Sequence, residues 1–264
     1  MLRYKEKEDV EARYSQVEQA VDIWRQMLPS VSLDVRDEYR ARFRISLIYH
    51  DAALEGEVLS HSEIKAAVDP TIISDISLIP AYEEVKHLNM ACDYAEEHTG
   101  QRKKPIRLET IKEIADKLET DEKLGGTQFR KDNPLHRLYY HEIAPPEKIA
   151  YRMRKLGEWL EERGTQSMHP MEKAAKTHFK LMQVFPWAKL SGRCARVLSN
   201  LILCQADYPV AVIHSTDRQR YYEALRQDNN DLVLLYLEAI ETSAVSEVRV
   251  YEEAMKNRRI RRRA

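Results

Sequence analysis

The chain has 264 residues, with 42 basic and 43 acidic side chains and a net charge of −1. That length suits one large domain or a domain with an appendage, and the charge balance excludes a global field that would demand nucleic acid or an acidic membrane. Charged residues make up 32% and glycines number only 7, as in a helical protein with salt-laced exposed faces, and no apolar run reaches the ~18 residues of a membrane span.

The first 32 residues carry Val10, Tyr14, Val17, Val21, Trp24 and Leu28 at alternating steps of four and three. This heptad-like seam either packs on, or extends from, the body of the protein, or joins two copies in a homodimer. Pro29 and Ser30 end it. A long helix follows over 33–56, with Tyr39, Phe43, Leu47 and Leu54 on one stripe and Gly56 as its stop. Ser60-x-x-Glu63 forms a capping box for a short helix. Residues 80–98, with Tyr82, Val85, Leu88, Cys92 and Ala95 inward, and Leu108, Ile111, Ala115 and Leu118 beyond, read as scaffold helices. Residues 127–143 hold aromatic and β-branched residues around Asp132-Asn133-Pro134, the pattern of one short β-hairpin. A helix over 146–162 buries Ile149, Met153, Leu156 and Leu160.

The stretch 169–209 is a helix, a broken loop and a second helix. Met171, Ala174, Ala175, His178 and Met182 share one face of the first; Val197, Leu198, Leu201 and Ile202 share one face of the second. Gly192 and Arg193 open the second helix, and Arg196 lies one turn on. Free N–H groups, the positive end of the helix dipole and two arginines make that start a candidate anion site. A final helix covers 232–255, and residues 245–264 end in a basic run, Arg258 to Arg263. That tail is a solvated end, or a weak attraction for nucleic acid or acidic lipid. Cys92, Cys194 and Cys204 each fall in or beside a helical pattern and read as buried thiols of a reducing, cytoplasmic compartment; the first residues lack the apolar core of a signal peptide. No histidine pair has metal-ligand spacing with a carboxylate partner, no Cys/His cluster occurs, and no glycine-rich phosphate loop is present. No metal-ligating residue is therefore assigned.

Aligned on Gly192, Arg193 and Arg196, the loop reads Phe185-Pro186-Trp187-Ala188-Lys189-Leu190-Ser191-Gly192-Arg193-Cys194-Ala195-Arg196. It resembles the Fic (Fido) family signature, H-x-F-x-D/E-G-N-G-R-x-x-R, and the flanks His169-Pro170, Ala174-Ala175 and His178 look like that family too. The resemblance implies an all-α Fic fold over 33–244 with a hairpin flap at 127–143, on which a partner protein docks by strand addition. It implies an inhibitory helix over 33–56. The family ending S/T-x-x-x-E-G/N is matched by Glu55-Gly56, with Asp51 in place of the Ser/Thr, so Glu55 is expected to pair with Arg196 as a regulatory residue. It implies a nucleotide site from Ser191, Gly192, Arg193 and Arg196, with Tyr221, Tyr222 and Asn229 holding adenine. The implied ligand is ATP or another purine nucleotide, with Mg²⁺ in active members.

The departures are chemical. Phe185 stands where the family has its catalytic histidine and cannot accept a proton, so no catalytic residue is assigned. Lys189 replaces the acidic residue that helps hold Mg²⁺, and Leu190 replaces a glycine that lets N–H groups approach phosphates. The residues therefore point to a degenerate Fic protein, a pseudoenzyme without protein adenylyltransferase (AMPylation) activity, keeping a purine pocket in a binding or regulatory role. Two further readings stand beside it: an active transferase with an altered donor, Lys189 replacing a metal, and an oligomeric scaffold using the heptad helix and the flap. His178 reads as a packed core histidine.

Overall fold

A computed structural model describes residues 6–69, 71, 81–121, 125–134, 141–227 and 230–261. The described residues form eleven α-helices: α1 (Glu6–Met27), α2 (Leu33–Glu55), α3 (His61–Val68), α4 (Tyr82–Glu96), α5 (Leu108–Leu118), α6 (Ile149–Glu161), α7 (Arg163–Gln166), α8 (Pro170–Val184), α9 (Ser191–Gln205), α10 (Arg218–Ala224) and α11 (Asp231–Arg261). No strand occurs among them, so the fold is all-α. No helix is long and apolar enough to cross a membrane among the described residues.

The centre is α9, every residue of which is buried, Ser191 through Gln205. Helices α4, α5 and α8 surround it. Such burial needs small residues at the crossing with α8. Ala174 and Ala175 are buried there, and the Ser199 hydroxyl donates to the Ala174 carbonyl at 3.0 Å. The 31 residues of α11 run against α1 and α8. Val17 and Val21 are wholly covered, and α1 packs chiefly on α11, so the heptad seam is used within the chain. Breaking two such buried valines out to solvent would cost on the order of 1.5–3 kcal/mol each.

Helix ends follow local chemistry. Gly56 ends α2 in the left-handed region at φ 91°, its N–H bonded to the Ala52 and Ala53 carbonyls. Ser60 and Glu63 cap α3 reciprocally, as their spacing predicts, with Glu63 N–H to Ser60 Oγ at 3.2 Å and Ser60 N–H to Glu63 Oε2 at 2.7 Å. The three cysteines are buried free thiols.

The expected hairpin differs from what is observed. Among the described residues of 127–143, no strand pairs with another; 135–140 lie outside those described. Instead the segment is strapped to the loop after α8. The Arg130 N–H donates to the Pro186 carbonyl at 2.9 Å, and the Ala144 N–H to the Gln183 carbonyl at 3.0 Å. Backbone groups must find partners somewhere. Here the N–H groups of Arg130 and Ala144 find them on the neighbouring loop.

Candidate functional site

Helix α8 stops at Phe185, a non-glycine residue in the left-handed region (φ 48°, ψ 60°) whose N–H still bonds the Leu181 carbonyl at 2.8 Å. A bulky residue is uncommon there. The strap holds it: Arg130 Nε donates to the Phe185 carbonyl at 2.7 Å, and the Arg130 guanidinium also reaches the Ala144 carbonyl. The Phe185 ring is 1% exposed and meets the His141 ring edge-on at 6.2 Å. His141 is itself buried, its Nε2 3.0 Å from the Met182 carbonyl oxygen.

The loop then closes on Ser191. Its hydroxyl accepts from the Trp187 N–H at 2.8 Å and donates to the Trp187 carbonyl at 2.5 Å. The residue expected to offer a hydroxyl to phosphate thus has it engaged in shaping the loop. At Gly192 an added Cβ would lie 2.2 Å from Glu55 Oε1 and 3.1 Å from Arg196 Nη1. The Glu55 carboxylate therefore occupies the space over the start of α9, where the helix dipole favours an anion.

The expected Glu55–Arg196 pair is present, Glu55 Oε1 accepting from Nη2 at 2.9 Å with both side chains 8% exposed. It is one arm of a larger cage. Asp51 bonds Arg196 Nε through Oδ1 and lies 3.3 Å from Arg193 Nε through Oδ2. Arg193 also pairs with Glu84 at 2.9 Å and with Glu57. Two buried guanidiniums thus face four carboxylates, drawn from α2, its C-terminal extension and α4. Burial alone would lower the pKa of both arginines; for Arg196 the nearby Asp51 and Glu55 outweigh it and hold the group well above its ordinary value. Burial raises Glu57, with Glu84 adding to the effect against Arg193. For Glu84 burial is outweighed by its bond to Arg193, and its pKa is lowered.

The tyrosines expected to hold adenine face inward. Tyr221 is fully buried with its hydroxyl 2.9 Å from His178 Nε2, and the other nitrogen of His178 lies 2.7 Å from the Tyr236 hydroxyl. Burial, then Arg196 and His141, push the His178 pKa well below its ordinary value, so the ring is neutral. A neutral imidazole donates once and accepts once, which the two hydroxyls satisfy. His178 is a core histidine, as its flanking position suggested. Tyr222 is 3% exposed, donates to the Leu54 carbonyl at 3.0 Å and lies under the Arg218 guanidinium at 5.2 Å. Its ring is stacked by an arginine of its own chain where a purine was expected. Asn229 lies outside the described residues.

The cage residues Glu57 and Glu84 and the strap residue Arg130 were missed from sequence. Asp51 departs from the family pattern, yet it stands four residues before Glu55, one turn away on the same helix face, a spacing that could mark both. Among the described residues no group of three or more His, Cys, Asp or Glu is placed to hold a metal ion. The side chain at the position of the family's acidic residue, Lys189, is exposed and cationic, and the donor set does not fit Mg²⁺.

Residues 105–203 match the Fic/DOC family. The chain contains a Fic domain. It is 30% identical over 210 residues to a protein adenylyltransferase Fic from Nematostella vectensis, covering 77% of this chain and 47% of that protein. A protein adenylyltransferase Fic from Drosophila virilis is 28% identical over 183 residues, 69% of this chain and 37% of its own length. The chain thus spans about half, or less, of the curated relatives it matches. Among solved structures, a Fic domain containing signaling protein from Bacteroides thetaiotaomicron superposes with a TM-score of 0.75 at 19% identity, covering 90% of this chain and 98% of that one. Fic-1 (aa134 - 508) from C. elegans superposes at 0.66 and 21% identity, covering 91% and 71%. These structures share the helical architecture, and the chain is a Fic-domain protein related to protein adenylyltransferases.

Proposed function

We propose that this Fic domain is a binding and regulatory module that does not transfer AMP, and that its arginine pair admits a purine nucleotide only when the carboxylate cage opens. The observation that carries the reading is Phe185, a buried ring at the position where adenylyl transfer needs a proton acceptor. Transfer to a hydroxyl requires a base, and loss of a general base typically costs about 10²–10⁴-fold. Neither nearby histidine replaces it: His141 is buried against the Met182 carbonyl, and His178 is enclosed between two tyrosines. Arg193 and Arg196 remain the right chemistry for phosphates, since a guanidinium fork matches them bidentately. Each is now matched instead to carboxylates of the same chain.

Calorimetry with ATP, ADP and GTP, with and without Mg²⁺, tests the pocket, and labelled ATP with a protein acceptor tests transfer. Glu55→Gly removes the carboxylate over Gly192 and should raise nucleotide affinity by about tenfold, the worth of one competing charged contact. Absence of binding at millimolar nucleotide in both proteins would remove the pocket from the proposal. Label incorporated by the wild-type chain would overturn its catalytic silence.

A further inference from the structure

A second cationic site lies at the other end of the α8–α9 pair. Lys173 is twelve residues before Phe185 on one helix, so the two lie roughly 18 Å apart along it. Beside Lys173 is a cavity of about 420 Å³, whose polar lining is Arg25, Arg102, Gln166, Lys173, Gln205 and Tyr208. Every charged residue lining it is a cation, in a chain whose net charge is −1.

The two arginines are already engaged. Arg25 Nε donates to the Asp207 carbonyl at 3.1 Å and Arg102 Nη2 to the Ala206 carbonyl at 3.1 Å, which satisfies the chain end of α9. Their charges are met by Asp22 at 3.0 Å and Asp207 at 3.0 Å, with Glu18 3.6 Å from Arg25. Lys173 differs. Its side chain is half buried, and among the described residues it has neither an ion pair nor a hydrogen bond to its ammonium. Burial pushes its pKa down, and no anion opposes that. An ammonium drawn partly out of water with no partner is costly. It also stands in the first turn of α8, a fifteen-residue helix whose positive end favours an anion.

We propose that this cavity is an anion-binding site for a small phosphate-bearing molecule, with Lys173 as the anchoring charge, Gln166 beside it as a donor, and the engaged Arg25 and Arg102 forming the rest of the wall. A lysine binds phosphate as a compact point charge, and the volume falls in the range of metabolite-sized sites, about 300–1,000 Å³. Nothing here depends on the state of the Phe185 loop or the arginine cage.

The test is calorimetry with inorganic pyrophosphate, and with citrate as a carboxylate control, at constant ionic strength. Wild-type chain, Lys173→Gln and Lys173→Arg are compared. Lys173→Gln keeps most of the stem and loses the charge; because no partner is orphaned and a desolvated charge is removed, its thermal unfolding should be no lower than wild type. The expected result is saturable pyrophosphate binding, weakened about tenfold or more in Lys173→Gln and kept in Lys173→Arg. Binding that is equal in Lys173→Gln would place pyrophosphate elsewhere, the arginine pair included, and overturn the site. So would absence of saturable binding to wild type at millimolar pyrophosphate. Saturation by citrate without pyrophosphate would overturn the phosphate assignment.

Discussion

The two ends of the α8–α9 pair carry opposite charge accounts. At the loop end, Arg193 and Arg196 face Asp51, Glu55, Glu57 and Glu84, more carboxylates than guanidiniums. At the other end, Lys173 lines a cavity with cations for company and has no carboxylate partner among the described residues. The comparison separates presence of a residue from its availability. The arginines are what a family signature preserves, yet their forks are filled by the chain itself. Lys173 belongs to no signature, yet its charge is open to a ligand.

The sharpest way to break this contrast is Asp51→Ala. Asp51 is 5% exposed and touches both guanidiniums. Arg196 keeps Glu55 and Arg193 keeps Glu57 and Glu84, so charge stays matched. What is lost is a buried charge-assisted hydrogen bond to Arg196 and the contact to Arg193, about 1.5–3 kcal/mol. Urea denaturation should show a loss of that order. A loss under about 1 kcal/mol would mean the cage is wet and exchangeable, like a surface pair.

Gly192→Ala probes the same cage from the backbone side. Its methyl group would meet Glu55 Oε1 at 2.2 Å, so the carboxylate must leave Arg196. A loss of about 1–3 kcal/mol is expected, as for overpacking a filled site. In a Glu55→Gly background only the 3.1 Å approach to Arg196 Nη1 remains, so Gly192→Ala should cost much less there than it does alone. Additive losses would show that Glu55 does not fill the space over α9.

A smaller effect separates Glu57 from Glu84 by pH. The folded pKa of Glu57 is raised above its ordinary 4.5, by burial first. Its contribution is therefore full below pH 4.5 and is lost as pH rises through the folded value. Glu84 is lowered, so its contribution is present above 4.5 and is lost as pH falls. Both side chains are more than a third exposed, and solvent screening keeps each effect under about 1 kcal/mol. At neutral pH, Glu57→Gln should stabilise slightly and Glu84→Gln should destabilise. Denaturation midpoints at neutral pH and below 4.5 check both signs; equal signs would mean the pair titrates as one group. The smallest change is expected at the other end: Lys173→Gln should leave stability within about 0.5 kcal/mol, as for a surface change that breaks no partner.

Much of the fold was legible in the chain. Helix α2 ends where Gly56 allows a left-handed turn, α3 begins at its capping box, and the apolar face of α8 is the one the 3.6-residue period marks, whereas α9, whose pattern marks one face, is buried all round. Periodicity and caps are local, so sequence carries them. The pairing of Glu55 with Arg196 was legible only through the family pattern. The hairpin was not: its aromatic and β-branched residues suited a strand, but the backbone of Arg130 and Ala144 found partners on residues 183–186. Tyr222 has the spacing of an adenine-holding residue, yet its hydroxyl reaches Leu54 and its ring meets Arg218.

By itself the sequence determined the helices, the buried face of α8, and a side chain at Phe185 that cannot accept a proton, because each is a property of residues near one another in the chain or of one side chain's chemistry. Only the tertiary structure decided which charges meet. Glu84 lies 109 residues from Arg193 and Glu57 lies 136 away, and no local pattern marks either. An ion pair needs its two groups within a few ångströms in space, and how α2, α4 and α9 pack sets that distance. Among the described residues, the same packing brought no carboxylate to the ammonium of Lys173.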